Sequence, residues 1–187
     1  TTRQHLADTL WAVRGQGAFG ERVNLLDNTV TPFRPKPSQS TDLRHGFASI
    51  ANFFPEGKGW LAGLEEKLYR RLGSTEVGGN PLVFADQYLS TGGQIYELTV
   101  GHDRFIADLR PVAFRRLGYE HPPLCAHPYD ICTELIAREA GAIITDEHGN
   151  PLEAPLDIRE SIAWIGYANL ALRTRIEPIL HQILREG

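Results

Sequence analysis

The sequence contains no methionine, not even at position 1. A chain without its initiator is expected to be a processed product or an excised piece. A second account is that modified methionines are missing from the written string; an intact mass equal to that of the 187 residues would refute it. Cysteine is scarce too. Cys125 and Cys132 are too few for a disulfide framework, so a reducing cytoplasm is the expected setting. No apolar run approaches the roughly 18 residues of a membrane span. The N-terminal TTRQHLADTLWAV lacks the charged-then-apolar order of a secretion signal. Basic residues are in deficit: the net charge is −4, which leaves no electrostatic footprint for nucleic acid. No repeat at a fixed period is visible.

What is present is an ordinary globular composition, 42% apolar and 22% charged, over a length that suits one domain. The most informative stretch is His127–Asp146. Pro128 fixes the backbone ahead of Asp130, a good N-cap. Ile131, Cys132, Leu135, Ile136 and Ala140 recur at helical spacing and predict one apolar face. Gly141 suits a left-handed helix stop. Ala142–Thr145 then reads as a short strand, closed by a turn over 146–151. Taken locally, Asp130 is a capping residue before it is anything else.

Upstream, Thr9–Arg14 and Arg22–Leu25 predict two strands around a glycine-rich turn. Gly15–Gly20 spells GxGxxG, but no helix opens at its last glycine, so a hairpin is predicted rather than a dinucleotide site. Phe33–Thr41 reads as a Pro/Ser-rich connector, and Leu43–Phe54 fits a helix or a buried strand. Trp60–Leu72 predicts a helix with Leu61, Leu64, Leu68 and Leu72 on one face, stopped by Gly73. Pro81–Ala85 and Arg104–Asp108 predict strands. Between them Ser90 or Thr91 caps a helical run, Ile95–Val100. Gly92 and Gly93 allow backbone N–H groups to approach an oxyanion, or simply soften a capped first turn.

Leu109–Ala126 shows no element, and loops of such length inside a domain are usually lids or binding loops. Arg110, Arg115 and Arg116 on it contact an anion or are solvated. His121, Cys125, His127 and Cys132 follow H-x3-C-x-H-x4-C, unlike the paired spacing of structural zinc, so no zinc is expected. Ser161–Tyr167 predicts a strand, and Leu170–Leu184 a helix interrupted at Glu177-Pro178.

Together these segments resemble the inositol monophosphatase family, within the metal-dependent, lithium-sensitive sugar phosphatases. Leu10–Phe19 is similar to the family's strand ending in A-x-x-G-x-G-A-F. Ser90–Gln94 (STGGQ) is similar to its Gly-Ser/Thr-Ala turn, and Gly101–Asp108 (GHDRFIAD) to its G-x-x-D-A-Y-x-E strand. Pro128–Gly141 (PYDICTELIAREAG) resembles the signature P-W-D-x-A-A ending in E-A-G-G, and Trp164–Asn169 (WIGYAN) its closing strand. Tyr129 replaces the signature Trp and Ala142 its second Gly, and Asp130 to Glu139 is one residue short.

The resemblance implies an α/β class and a layered α-β-α-β-α sugar-phosphatase fold. This chain would supply its C-terminal part over 1–187, a mixed sheet flanked by helices. It implies Mg²⁺-dependent hydrolysis of a phosphate monoester on a small sugar or polyol. Asp130 would be a metal ligand; Thr91, Gly92 and Gly93 would meet substrate; Asp108 would bind a sugar hydroxyl. A homodimer is among the assemblies it implies, with no nucleic-acid or membrane partner. The family's Glu-rich stretch and Asp-Pro-x-Asp-Gly-Thr motif, with the remaining metal carboxylates and the water-orienting Thr, have no counterpart in 1–187. The 187-residue chain alone is therefore expected to be inactive. The competing expectation is an inactive fragment or degenerate relative that serves as a binding or assembly module.

Overall fold

A computed structural model describes residues 5–74, 80–120, 125–128, 130–155 and 157–186. The chain opens with strands β1 (Leu6–Val13) and β2 (Gly17–Asn24), an antiparallel hairpin with Val13 opposite Gly17. Its turn requires glycine, since Gly15 and Gly17 hold φ of 78° and 83°. Gly20 answers a different constraint. A Cβ there would lie 2.7 Å from the Phe33 ring, which crosses it from the next strand. That strand, β3 (Val30–Phe33), falls partly in the predicted connector. Pro32 hides it from sequence reading, yet β3 is a sheet edge, where proline forfeits no ladder bond.

Strand β4 (Gly46–Ile50) resolves the ambiguity over Leu43–Phe54 in favour of a buried strand. Helix α1 (Lys58–Arg71) buries Leu61, Leu64 and Leu68, as its spacing predicts. Strand β5 (Val83–Phe84) shrinks to two residues. Helix α2 (Thr91–Thr99) begins earlier than the apolar run because Ser90 caps it. Strand β6 (Asp103–Asp108) leads directly into helix α3 (Arg110–Arg116). The predicted structureless loop therefore contains two turns of helix, and Pro111 sits in its first turn, where a missing N–H costs nothing. Helix α4 (Glu134–Ala140), strands β7 (Ile143–Thr145) and β8 (Trp164–Tyr167), and helix α5 (Leu170–Glu186) complete the described chain.

α5 runs through Pro178 without the predicted break. An interior proline costs about 3 kcal/mol. Here Leu172, Ile176, Leu180 and Ile183 are buried on one side, while Pro178 and Thr174, whose carbonyl loses its partner, are exposed. Burial of four large side chains at about 1.5–3 kcal/mol each outweighs that cost.

The second sheet has the order β5-β4-β6-β8-β7, with β5, β4 and β6 parallel and β8 antiparallel to both of its neighbours. Its centre is continuous apolar chain, with Phe105, Ile106, Ala107, Trp164, Ile165 and Tyr167 all at 0–1% exposure. That continuity is what a sheet covered on both faces requires. α1 and α5 pack together on one face, and α2 covers β6 and β8. α4 packs on α2 and also against β1 and β2, placing the three-stranded sheet beyond it. The described residues thus stack as α-β-α-β, a mixed sheet flanked by helices.

Candidate active site

Parallel strands point their C-terminal ends to one edge, and crevices at that edge are where open α/β sheets bind ligands. β4 and β6 end side by side there, with Ala51 N donating to Ala107 O at 2.8 Å. The loop that enters α2 is pinned to the same edge. Gln87 Nε2 donates to Ile50 O and Asn52 N donates to Gln87 Oε1, each at 3.3 Å. Gln94 Nε2 closes the loop from within by donating to Tyr88 O at 2.9 Å. Ser90 has extended backbone, and its Oγ accepts from Gly93 N at 3.1 Å. Thr91 is buried and Gly92 half-buried. A Cβ on Gly92 would meet nothing within 4 Å. The Thr91–Gly93 turn therefore starts a helix at the sheet's C-terminal edge, and Gly92 faces open space.

Asp108 ends β6 with no exposed surface. Arg110 Nε donates to its Oδ1 at 2.8 Å, Arg110 Nη2 to Oδ2, and Arg110 N to Oδ1 at 3.2 Å. The guanidinium also lies over the rings of Phe53 and Phe54, at 4.5 and 5.0 Å. Burial works against the Arg110 charge, but the Asp108 carboxylate more than compensates, and the Arg110 pKa stands above its ordinary value. Both Asp108 oxygens are thus engaged by Arg110. Sequence reading missed this partner, although an Asp-x-Arg at a strand-to-helix junction is a usable signal.

Asp130 does not cap a helix. Residues 130–133 form a turn, and α4 begins at Glu134. The early start predicted for that helix fails because Ile131 and Cys132 face opposite ways: Ile131 is buried and Cys132 exposed. Asp130 Oδ2 accepts from His127 N at 2.9 Å and lies 3.4 Å from His127 Nδ1. Nearby, Ala126 O accepts from Ile162 N at 2.7 Å, two residues ahead of Trp164, which pairs with Asp108, so His127 and Asp130 lie near the same sheet edge. Cys125 is buried beside this cluster. Burial pushes its thiol up to about 12, so it is no nucleophile near neutral pH. His121 and Tyr129 lie outside the described residues. Among those described, no three His, Cys, Asp or Glu side chains are grouped to hold a metal.

Two cavities adjoin the site. One of 240 Å³ is lined by Asp8, Leu10, Gly92, Ile95, Tyr96 and Thr133 among others. The other, of 810 Å³, is lined by Arg115, Glu120, His127 and residues 157–161. Asp130 lines neither. The Thr91–Gly93 turn opens to the first and the His127 side of the cluster to the second.

Sequence reading also missed Glu139. Its Oε1 and Oε2 accept from Gly15 N and Gly17 N, each at 2.8 Å. The glycine-rich turn therefore holds an anion, but it is the chain's own carboxylate. Those bonds hold the Glu139 pKa below the usual range.

No protein-family model and no curated protein matches the sequence. Solved structures do match in shape. The extragenic suppressor protein SuhB of Bartonella henselae aligns over 87% of this chain and 56% of its own, with a TM-score of 0.51 at 17% identity. An inositol monophosphatase–fructose 1,6-bisphosphatase aligns over 94% and 70%, with a TM-score of 0.53 at 12% identity. SuhB of Mycobacterium tuberculosis aligns over 89% and 62%, with a TM-score of 0.52 at 12% identity. The chain spans little more than half the length of the Bartonella protein. Its mixed sheet flanked by helices is the fold of these inositol-monophosphatase-like structures.

Proposed function

We propose that the chain forms the phosphoryl-binding part of a hydrolase acting on phosphate monoesters of small sugars or polyols. The observation that supports this reading is the position of the Thr91-Gly92-Gly93 helix start and of Asp130 near one sheet edge, in a fold shared with an inositol monophosphatase–fructose 1,6-bisphosphatase. Ser90 occupies the Gly93 N–H, which leaves the earlier amides of the first turn to donate to phosphoryl oxygens. The helix dipole adds to their attraction.

Mg²⁺ is the cofactor that hydrolysis on this fold would need. The described residues offer it one carboxylate, Asp130, already accepting from His127 N. They do not make a complete site, so no hydrolytic step is assigned to them. By themselves they are expected to bind Mg²⁺ no more tightly than about 10⁻⁴–10⁻³ M, the weak end of carboxylate sites. The same observation favours a second reading, in which the chain binds phosphate esters without turning them over.

The test is an amide-shift titration of the 187-residue chain with inorganic phosphate, alongside a phosphate-release assay on inositol monophosphate and fructose 1,6-bisphosphate with Mg²⁺. Saturable shifts at Thr91 and Gly92 without turnover are expected. Absence of those shifts sinks the phosphoryl reading. Rapid Mg²⁺-dependent release, lost in Asp130→Asn, would show that the chain holds a whole catalytic centre.

A further inference from the structure

Away from that edge, a cleft of 340 Å³ lies between α3, the turn after β7, and α5. Val112 and Leu184 give it an apolar floor, and its polar lining is Arg115, Glu147, His148, His181 and Arg185. The charges do not balance. Glu147 is matched to Arg115, with Nη2 at 2.6 Å from Oε1. Arg185 has no carboxylate partner among the described residues. His181 Nε2 is enclosed and without a hydrogen-bond partner among them. Three elements thus bring two guanidinium groups and two imidazoles to one concavity against a single carboxylate. A cation in the last turn of a helix is often only a solvated complement to the dipole. Here the cation lines a cleft that also holds Arg115 and His148.

We propose that this cleft binds a small tetrahedral dianion, either free phosphate or the phosphoryl group of a small ester, at a site separate from the Thr91–Gly93 turn. Arg185 supplies the unmatched charge, and its planar fork suits phosphate oxygens. His148, whose Nε2 lies 3.9 Å from Glu147 Oε1, supplies a further N–H donor, and the ring of His181 lines the wall. Arg115 is the link to the rest of the molecule, because it lines both this cleft and the 810 Å³ cavity beside His127. An anion in the cleft competes with Glu147 for that guanidinium.

The experiment is a titration of the full 187-residue chain with sodium phosphate in EDTA, against sodium chloride at matched ionic strength. It is followed by the imidazole resonances of His148 and His181 and by thermal midpoint. Saturable shifts of both imidazoles with phosphate alone are expected. Arg185→Glu should weaken them by about tenfold or more, the scale of one lost charge-assisted hydrogen bond, while Asp130→Asn leaves them unchanged. Unaltered binding in Arg185→Glu overturns the proposal, as do loss in Asp130→Asn or equal responses to phosphate and chloride. Should Arg185→Glu misfold, Arg185→Gln and the wild-type imidazole shifts decide the same question. Tighter binding of glycerol 2-phosphate than of inorganic phosphate assigns the site to an ester; the reverse assigns it to the free ion. The amide shifts at Thr91 and Gly92 read the other site separately, so the two proposals fail independently.

Discussion

β6 carries a buried aspartate at each end, and the two solve the same problem in opposite ways. At the C-terminal end, Asp108 is held by the Arg110 fork under the Phe53 and Phe54 rings. At the N-terminal end, Asp103 is 1% exposed and its ion-pair partner among the described residues is an imidazole: His102 Nδ1 lies 3.2 Å from Asp103 Oδ1 and 3.3 Å from Glu97 Oε2. Burial pushes the Asp103 carboxyl up to about 6, His102 opposes this, and the charges of Glu97 and Asp86 add to it. Burial likewise raises Glu97. A carboxyl group taken out of water without a matched cation thus holds its proton to higher pH. The edge where β6 ends has the matched pair, and the edge where it begins has the crowded acids.

The largest expected effect comes from breaking the matched end. Arg110→Ala leaves the enclosed Asp108 without its partner, a change that costs about 3–5 kcal/mol for buried pairs. A urea or guanidinium midpoint measures it. A loss under about 1 kcal/mol, the range of exposed pairs, would mean that water reaches Asp108 and the contrast is overstated.

The crowded end predicts a pH dependence of definite sign. The unfolded Asp103 carboxyl gives up its proton near 3.8, whereas the folded one holds it to about 6. Between those values the folded state binds more protons, so stability falls as pH rises through that window and levels off above it. The loss is on the order of 1–3 kcal/mol, and Asp103→Asn should abolish most of the slope. Denaturation midpoints at pH 4.5 and 7 compare the two proteins, and equal slopes would refute the assignment.

A third carboxylate sharpens the comparison at the surface. Glu139 is only half-buried and pairs with no guanidinium among the described residues; backbone amides of the Gly15–Gly17 turn hold it. Its lowered pKa means that this contribution is complete above the unfolded carboxyl range and is lost as pH falls through the folded value. Glu139→Gln is expected to speed hydrogen exchange at Gly15 and Gly17 by a few-fold, the smallest of the three effects, with little change in global stability. Unchanged exchange would show that the hairpin shapes itself.

Local pattern revealed α1, with its leucine stripe, and the hairpin, because both depend on spacing and glycine within a dozen residues. The helix start at Ser90 and the closing strand and helix were legible for the same reason. Where local signals conflict, packing decides. Pro32 lies in β3 because it falls on an edge, Pro178 lies inside α5 because one helical face is buried, and Arg110–Arg116 winds into a helix from what reads as loop. The candidate site divides likewise. The family resemblance pointed to Thr91, Gly92, Gly93, Asp108 and Asp130, but not to the binding of Asp108 by Arg110 or the filling of the glycine-rich turn by Glu139, 122 residues away from Gly17. Charges find partners by distance in space, under a low dielectric that makes an unpaired one expensive. Sequence spacing fixes which groups exist and which face of an element they share, and only the folded arrangement of sheets and helices sets which of them meet.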